Sequence, residues 1–202
     1  MASIYELKPA FQNLLRPVTK ALASAGVTAN QVTLAALILS CMVGAAIVRH
    51  PQNPGVLLFV PLALFVRMAL NAIDGMLARE HDMKTQLGAV LNELGDVVAD
   101  SALYLPLALV PAFNHWLVVG LVILAVMVEM TGVVAIQIGA ARNYAGPMGK
   151  SDRAFSFGLI ALLLGLGVPE GIWVTAALSI MLLLSVFTVY NRARLALREG
   201  RA

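Results

Sequence analysis

The sequence has few of the residues that a soluble domain depends on. Charged residues make up 12% of its 202 positions, whereas soluble domains average about 25%. A single cysteine, Cys41, excludes an internal disulfide. The three histidines fall in polar connections (His50, His81 and His115) and Cys41 is remote from them. A zinc site is therefore disfavoured, because zinc needs clustered His and Cys ligands. We also expect no nucleic-acid partner.

What the sequence has in abundance is apolar residues. Hydrophobic residues make up 60% of the chain, and the mean hydropathy is +0.85. A membrane span needs roughly 20 apolar residues, and six stretches approach that length: about 31–48, 55–78, 87–110, 116–141, 154–168 and 171–190. We therefore predict an all-α integral membrane protein with six transmembrane helices. It would form a single domain over 1–202, divided into 1–25, a six-helix bundle over 26–193, and a basic tail over 194–202.

The segment 1–25 is expected to be an amphipathic helix in the plane of the membrane surface, without a cleaved signal peptide. Its apolar residues recur at helical spacing with basic residues between them. All Lys and Arg residues except Arg49 and Arg67 fall in the N-terminus, two of the connections and the tail. The positive-inside rule then predicts that both termini are cytoplasmic. The tail arginines are expected to contact anionic lipid (Arg192, Arg194, Arg198 and Arg201).

Polar residues interrupt the apolar sequence between the second and third predicted spans. Ionisable groups are costly in hydrocarbon, so such a group of residues is a candidate functional site. One helix would carry a stripe at i, i+3 and i+7, formed by Asn71, Asp74 and Ala78. The next would carry residues four apart, Gly88, Asn92, Asp96 and Asp100. Facing helices would bring their oxygen ligands into one cleft. Oxygen ligands select hard cations such as Mg²⁺, Mn²⁺ or Ca²⁺.

Three further residues in this stretch favour a phosphate-bearing ligand. Gly75 and Gly88 remove side chains where a ligand could approach the backbone. Arg79 lies one turn beyond the acids and suits bidentate phosphate contact. Carboxylates, a divalent metal and an Arg are the parts used for phosphoryl transfer. In the alternative, the polar residues only join helices by hydrogen bonds.

The spaced pattern Asp74-Gly75-x-x-Ala78-Arg79-x8-Gly88-x3-Asn92-x3-Asp96 closely resembles the signature of the CDP-alcohol phosphotransferases, also called CDP-alcohol phosphatidyltransferases. The predicted six-span architecture, the N-terminal helix and the stretch 27–33 are similar to that family too. The resemblance implies transfer of a substituted phosphate from a CDP-linked lipid or alcohol, such as CDP-diacylglycerol, to an acceptor hydroxyl, with release of CMP. It also implies a role in phospholipid biosynthesis in a bacterial cytoplasmic membrane.

The resemblance also implies roles for individual residues. The metal shell, holding one or two Mg²⁺ or Mn²⁺ ions, would be Asn71, Asp74, Asn92 and Asp96. Asp96 would in addition deprotonate the acceptor. The CDP moiety would be bound by residues before the first span and around the central stretch, namely Asn30, Thr33, Gly75, Ala78, Arg79, Thr85 and Gly88.

Two positions differ from the family pattern, which has Asp where this chain has Asn71 and Asn92. Asp100, one turn beyond Asp96, could compensate as a catalytic residue if the third helix were shifted. Three interpretations stay open: an active enzyme with a modified one-metal or two-metal site, an enzyme with a shifted site, and a silent relative that binds CDP-lipid or a headgroup without turnover. An ion transporter is disfavoured, because no inverted repeat is visible.

Polar residues outside the motif have competing interpretations. Arg67 needs a partner in lipid, with Asp100, Glu129 and Asn71 as candidates. The basic connection is expected to bind an acceptor phosphate or a lipid headgroup, although a plain positive-inside loop would have the same composition (Arg142, Lys150 and Arg153). The acceptor alcohol is not identified by the sequence. Small residues in several spans permit a homodimer.

Overall fold

A computed structural model describes residues 4–200 of the chain, with side-chain surroundings from Ala10 onward. The side chains of residues 1–9 in the predicted amphipathic helix, and Arg201 of the predicted tail, lie outside the part that is described.

The described chain is helical, as predicted, and residues 4–200 contain no strand. Seven α-helices and two short 3₁₀ segments, Pro54–Leu58 and Leu105–Leu109, account for its regular structure. The α-helices are α1 Ile4–Ser24, α2 Ala29–Arg49, α3 Phe59–Glu80, α4 Gln86–Tyr104, α5 His115–Gln137, α6 Lys150–Gly165 and α7 Ile172–Glu199.

Four of these segments are long and apolar enough to cross a membrane: α2, the 3₁₀ segment together with α3 (Pro54–Glu80), α5 and α7. The other two helices predicted as spans, α4 and α6, are not among these four, and each has a physical reason. Helix α4 carries three carboxylates within 19 residues, Glu93, Asp96 and Asp100. Helix α6 has only 16 residues, which is short of the roughly 20 that a span needs.

The chain divides into two compact units, each formed by two separate segments. The first unit comprises Met1–Cys41 and Ala63–Ala99, and the second comprises Met42–Leu62 and Asp100–Ala202.

In the first unit, the end of α1 and the start of α2 are fixed by local chemistry. Gly26 adopts φ +77°, a conformation that suits glycine, and breaks the chain direction after α1. Thr28 caps α2 by accepting from the Gln31 amide at 3.3 Å, while the Gln31 side chain accepts from the Thr28 amide at 2.9 Å. The hydrophobic core of this unit includes buried residues from α2 and α3 (Ala29, Val32, Ile73 and Leu77).

In the second unit, α5 packs against α7, and α6 packs against the first 3₁₀ segment. The buried face of α7 follows one continuous stripe at spacings of three or four residues: Val174, Leu178, Met181, Ser185, Thr188, Arg192 and Ala196. Gly44 lets α2 approach the end of α4 closely, since a Cβ there would collide with the Ala102 carbonyl oxygen.

Two helix ends differ from the predicted ends of the spans. Helix α5 ends at Gln137 rather than near Ala141, because the chain turns at Gly139 with φ +82°. Helix α7 continues to Glu199, so residues 194–199 of the predicted tail extend the last helix.

Candidate functional site

In the first unit, the polar stripe of α3 meets Asp96 of α4. The Asn71 side-chain amide donates to Asp96 Oδ1 at 3.4 Å. Arg67, one turn before Asn71 and only 3% exposed, places its Nη2 at 4.0 Å from the same oxygen. Asp96 is not among the partners of Arg67 that the sequence suggested, which were Asp100, Glu129 and Asn71. The carboxylate of Asp96 thus forms an ion pair with Arg67 and accepts a hydrogen bond from Asn71, both on α3.

Asp74 is anchored from α2. It is 6% exposed, and the Thr33 hydroxyl donates to its Oδ2 at 2.7 Å. The structure therefore brings together one predicted metal ligand and one residue predicted to bind the CDP moiety. A buried carboxylate needs such a donor, because an unpaired charge in apolar surroundings is strongly unfavourable.

Three of the residues predicted to bind the CDP moiety meet where α4 begins. Thr85 Oγ1 accepts from the Gly88 amide at 2.8 Å, which caps α4. The Asn30 amide donates to the same hydroxyl at 3.4 Å. A Cβ at residue 88 would lie 2.6 Å from Asn30 Oδ1, so glycine permits this close approach.

The remaining predicted residues of the motif lie along α3 and α4. The exposed Arg79 folds back over Gly75, where a Cβ would lie 3.1 Å from both terminal guanidinium nitrogens. Ala78 packs on the core of the first unit. Asn92 is exposed, one turn before Asp96.

The donor set in this unit consists of carboxylate and amide oxygens. Within the described residues, no three His, Cys, Asp or Glu side chains come close enough together to hold a metal ion. Two acids, Asp74 and Asp96, and two amides, Asn71 and Asn92, would have to share that task. Oxygen donors fit a hard cation, and their low total charge limits how strongly they can hold it.

The second unit contains a group of buried charges, the arginine cluster, built around Glu129 of α5. Its carboxylate oxygens lie 3.4 Å from Arg153, 3.6 Å from Arg142 and 3.9 Å from Arg192. Asp100 joins the group through Arg153, at 3.5 Å. The arginine cluster therefore has three guanidinium groups and two carboxylates.

The predicted acceptor-binding residues lie in or beside the arginine cluster, in different surroundings. Arg153 is 1% exposed and fixed by two carboxylates. Arg142 is more open, with its guanidinium 5.1 Å from the ring centre of Tyr144. Lys150 is half-buried at the first position of α6. Asp100, predicted as a catalytic residue, is 5% exposed.

The prediction that Arg192 contacts lipid from the tail is wrong. The residue is 3% exposed, and its guanidinium donates to the backbone carbonyls of Val128 at 2.9 Å, Tyr144 at 3.3 Å and Ala145 at 3.3 Å. The signal was present in the sequence: Arg192 follows Ser185 by seven residues on the buried stripe of α7.

The chain is similar to known proteins in both sequence and fold. The family model described as CDP-alcohol phosphatidyltransferase matches residues 26–190. The inner membrane protein YnbA of Escherichia coli K12 is 46% identical over 192 residues, covering 95% of each chain. A phosphatidylinositol phosphate synthase of Corynebacterium glutamicum is 30% identical, covering 97% of this chain and 89% of the relative.

Among solved structures, the phosphatidylinositol phosphate synthase PgsA1 of Mycobacterium tuberculosis has the same fold. Its crystal structure with manganese and citrate gives a TM-score of 0.76 at 19% identity, covering 90% of this chain and 88% of the other. A second structure of the same protein, with CDP-DAG bound, gives a TM-score of 0.73 at 19% identity and covers 89% and 92% of the two chains.

Proposed function

Since this chain belongs to the CDP-alcohol phosphatidyltransferase family, we propose that it takes a phosphatidyl group from CDP-diacylglycerol and transfers it to an alcohol. The family assignment makes it a transferase that releases CMP, in phospholipid biosynthesis. The identity of the donor is our proposal, and CDP-DAG bound to a protein of the same fold supports it. The observation that carries the proposal is the match of the family model over residues 26–190, together with the contacts of Asp74 and Asp96.

We assign the metal shell to Asn71, Asp74, Asn92 and Asp96. A bound Mg²⁺ or Mn²⁺ would neutralise the pyrophosphate and stabilise CMP as the leaving group. The manganese in the crystal structure of PgsA1, a protein of the same fold, supports a divalent cation as the bound metal. The hydroxyl of Thr33 orients Asp74, because it fixes one of its two carboxylate oxygens.

Asp96 is the proposed general base. Its side chain is 28% exposed, so an acceptor hydroxyl can reach it, whereas Asp74 is buried. The acceptor oxygen forms a bond to the phosphorus of the donor, its proton passes to the Asp96 carboxylate, and the bond to CMP breaks. Proton transfer to such a base contributes roughly 10²–10⁴-fold to a rate.

The nucleotide end of the donor is assigned to two groups of the first unit. Arg79 projects from the end of α3 beside Gly75, and a guanidinium there can contact two phosphate oxygens. Asn30, Thr33, Thr85 and Gly88 form the second group, where α4 begins. Ala78 would contribute only by keeping the helices close.

The acceptor is assigned to the basic connection of the second unit. Arg142 and Lys150 are the proposed contacts for an anionic group, because both are less buried than Arg153. Arg153 would hold Asp100 and Glu129 in place. Asp100 is then a structural acid, and the unshifted site with Asp96 as base is the interpretation that we favour.

In the membrane we propose six spans, with α4 and α6 added to the four apolar helices. Helix α1 would lie in the surface plane, with Leu14 facing lipid at 73% exposure. Both termini would face the cytoplasm of a bacterium, and the protein would reside in its inner membrane. The identity with YnbA, an inner membrane protein, supports that location.

The test is CMP release by the purified protein in nanodiscs that contain CDP-diacylglycerol. Mg²⁺ or Mn²⁺ is supplied, with a panel of alcohols and phosphorylated alcohols. We expect metal-dependent CMP release with one acceptor. Asp74→Asn should reduce it by at least about 10–100-fold, the range known for the groups that hold metal ligands in place. Asp82→Asn is the matched control, since it removes an exposed carboxylate at φ 54°, which Asn tolerates.

Two outcomes would contradict the proposal. CDP-diacylglycerol binding without CMP release, in the wild type and in Asp74→Asn alike, would identify a silent relative. Activity abolished by Asp100→Asn but unaffected by Asn92→Ala would identify the shifted site and would remove Asp96 from its role.

A further inference from the structure

We infer that Arg67 supplies a fixed positive charge to the catalytic site in place of a second divalent cation, so that this chain binds one metal ion. The inference rests on the proposed function in one respect: it takes Asn71, Asp74, Asn92 and Asp96 as the metal shell.

The first observation is the position of Arg67. It lies on α3 one turn before Asn71, it is 3% exposed, and its Nη2 is 4.0 Å from Asp96 Oδ1. A guanidinium group cannot lose its proton in a protein. A permanent positive charge therefore lies against one of the two carboxylates of the shell.

The second observation is the contact between Asn71 and that same oxygen. The Asn71 amide donates to Asp96 Oδ1 at 3.4 Å. A carboxylate at position 71 would bring two negative groups to this separation, and a cation would be needed between them. The amide of Asn71 removes that need because it is uncharged and donates a hydrogen bond to the Asp96 carboxylate.

The charges of the shell lead to the same conclusion. Two carboxylates and two amides carry about two negative charges, and Arg67 reduces the net value to about one. Metal affinity depends on the number of charged ligands. One bound divalent cation already changes the net charge of this site from negative to positive. A second would be placed beside a buried guanidinium in apolar surroundings, where uncompensated charge is expensive.

A purely structural ion pair makes a different prediction. If Arg67 only held α3 against α4, its removal would loosen the site and weaken metal binding. If its charge competes with metal, its removal strengthens metal binding. The direction of the change in affinity therefore separates the two roles.

The experiment is a titration of the purified full-length chain with Mn²⁺ in nanodiscs, with unbound Mn²⁺ counted by electron paramagnetic resonance. We expect one Mn²⁺ per wild-type chain. Arg67→Met should bind Mn²⁺ at least about tenfold more tightly, and Arg67→Lys, which keeps the charge, should match the wild type. Asn71→Asp adds a negative charge while Arg67 remains, and it should also raise the affinity by about tenfold.

Two Mn²⁺ ions per wild-type chain would overturn the inference. It would also be overturned if Arg67→Met bound no more tightly than the wild type, or if Arg67→Lys behaved like Arg67→Met. Should Arg67→Met fail to fold, as judged by gel filtration, the wild-type stoichiometry and Asn71→Asp still decide the matter, and an unchanged affinity in Asn71→Asp overturns the inference.

CMP release by the same preparations separates this inference from the proposed function. Metal-dependent release with two bound ions would leave the function standing and remove the role of Arg67. One bound ion, tightened in Arg67→Met, without release from any acceptor would remove the function and leave the charge role of Arg67 standing.

Discussion

Glu129→Gln should cost stability, because three arginines share the Glu129 carboxylate. Three guanidinium groups lie between 3.4 and 3.9 Å from the Glu129 carboxylate. The glutamine keeps the shape and two polar atoms but removes the charge. Asp100 then remains as the carboxylate of the arginine cluster, in contact with Arg153.

The size of the effect follows from distance and burial. At an effective dielectric constant of about 20, each of these pairs is worth about 4–5 kcal/mol before desolvation. Repulsion among the three arginines and the cost of removing all the charges from water offset much of that sum. Removing one partner of a buried pair costs about 3–5 kcal/mol. We expect a loss of that size, because the side chains of Arg153 and Arg192 are only 1% and 3% exposed.

The assay is thermal unfolding of the purified protein in detergent, followed by circular dichroism. For a chain of this length, about 2–4 °C accompanies each kcal/mol, so the midpoint should fall by about 6–20 °C. Glu170→Gln is the matched control, since Glu170 is exposed in the same unit, and we expect it to leave the midpoint within about 2 °C, as is usual for surface substitutions. If Glu129→Gln unfolded as late as Glu170→Gln, the arginine cluster would not be held together by this carboxylate.

Two further predictions concern the first unit. Gly88→Ala should separate Asn30 from Thr85, because a Cβ there would lie 2.6 Å from Asn30 Oδ1. We expect a loss of about 1–3 kcal/mol in thermal unfolding and a higher KM for CDP-diacylglycerol. Gly95→Ala, with its nearest contact at 3.8 Å, should be neutral, and equal behaviour of the two variants would refute the argument. Thr33→Val should lower the free energy of unfolding by about 1.5–3 kcal/mol, since the buried Asp74 carboxylate loses its hydroxyl donor. Thr33→Ser keeps that hydroxyl and should unfold at the wild-type midpoint. If Thr33→Ser unfolded as early as Thr33→Val, the methyl group of Thr33 would be what matters.

The sequence was sufficient to predict the helices and one contact between two of the predicted site residues. Apolar length and the breaks at Pro and Gly located six of the seven helices, and helical spacing of the apolar residues located α1. The spacing of Asn71 and Asp96 on neighbouring helices predicted that they would meet, and they do. These features depend on periodicity within one helix or on adjacent helices, which a sequence records directly.

The partners of the buried charges could not be predicted in the same way. Asp96 and Asp100 are one turn apart on α4, yet Asp96 contacts Arg67 and Asp100 contacts Arg153. Which acid an arginine meets depends on how distant helices are rotated about their axes, and a single sequence does not specify that rotation. The burial of Arg192 was missed for a different reason, because a basic residue near a C-terminus suggested a tail that contacts anionic lipid.

The length of α7 indicates where Arg192 lies relative to the bilayer. The helix has 28 residues, so it is about 42 Å long at 1.5 Å per residue, longer than the roughly 30 Å of bilayer hydrocarbon. Twenty residues separate Ile172 from Arg192, which corresponds to about 30 Å. A perpendicular α7 with Ile172 at one edge of the hydrocarbon places Arg192 at the other edge. The arginine cluster then fixes how deeply the helix is immersed, and a thicker bilayer would have to thin locally or draw these charges inward.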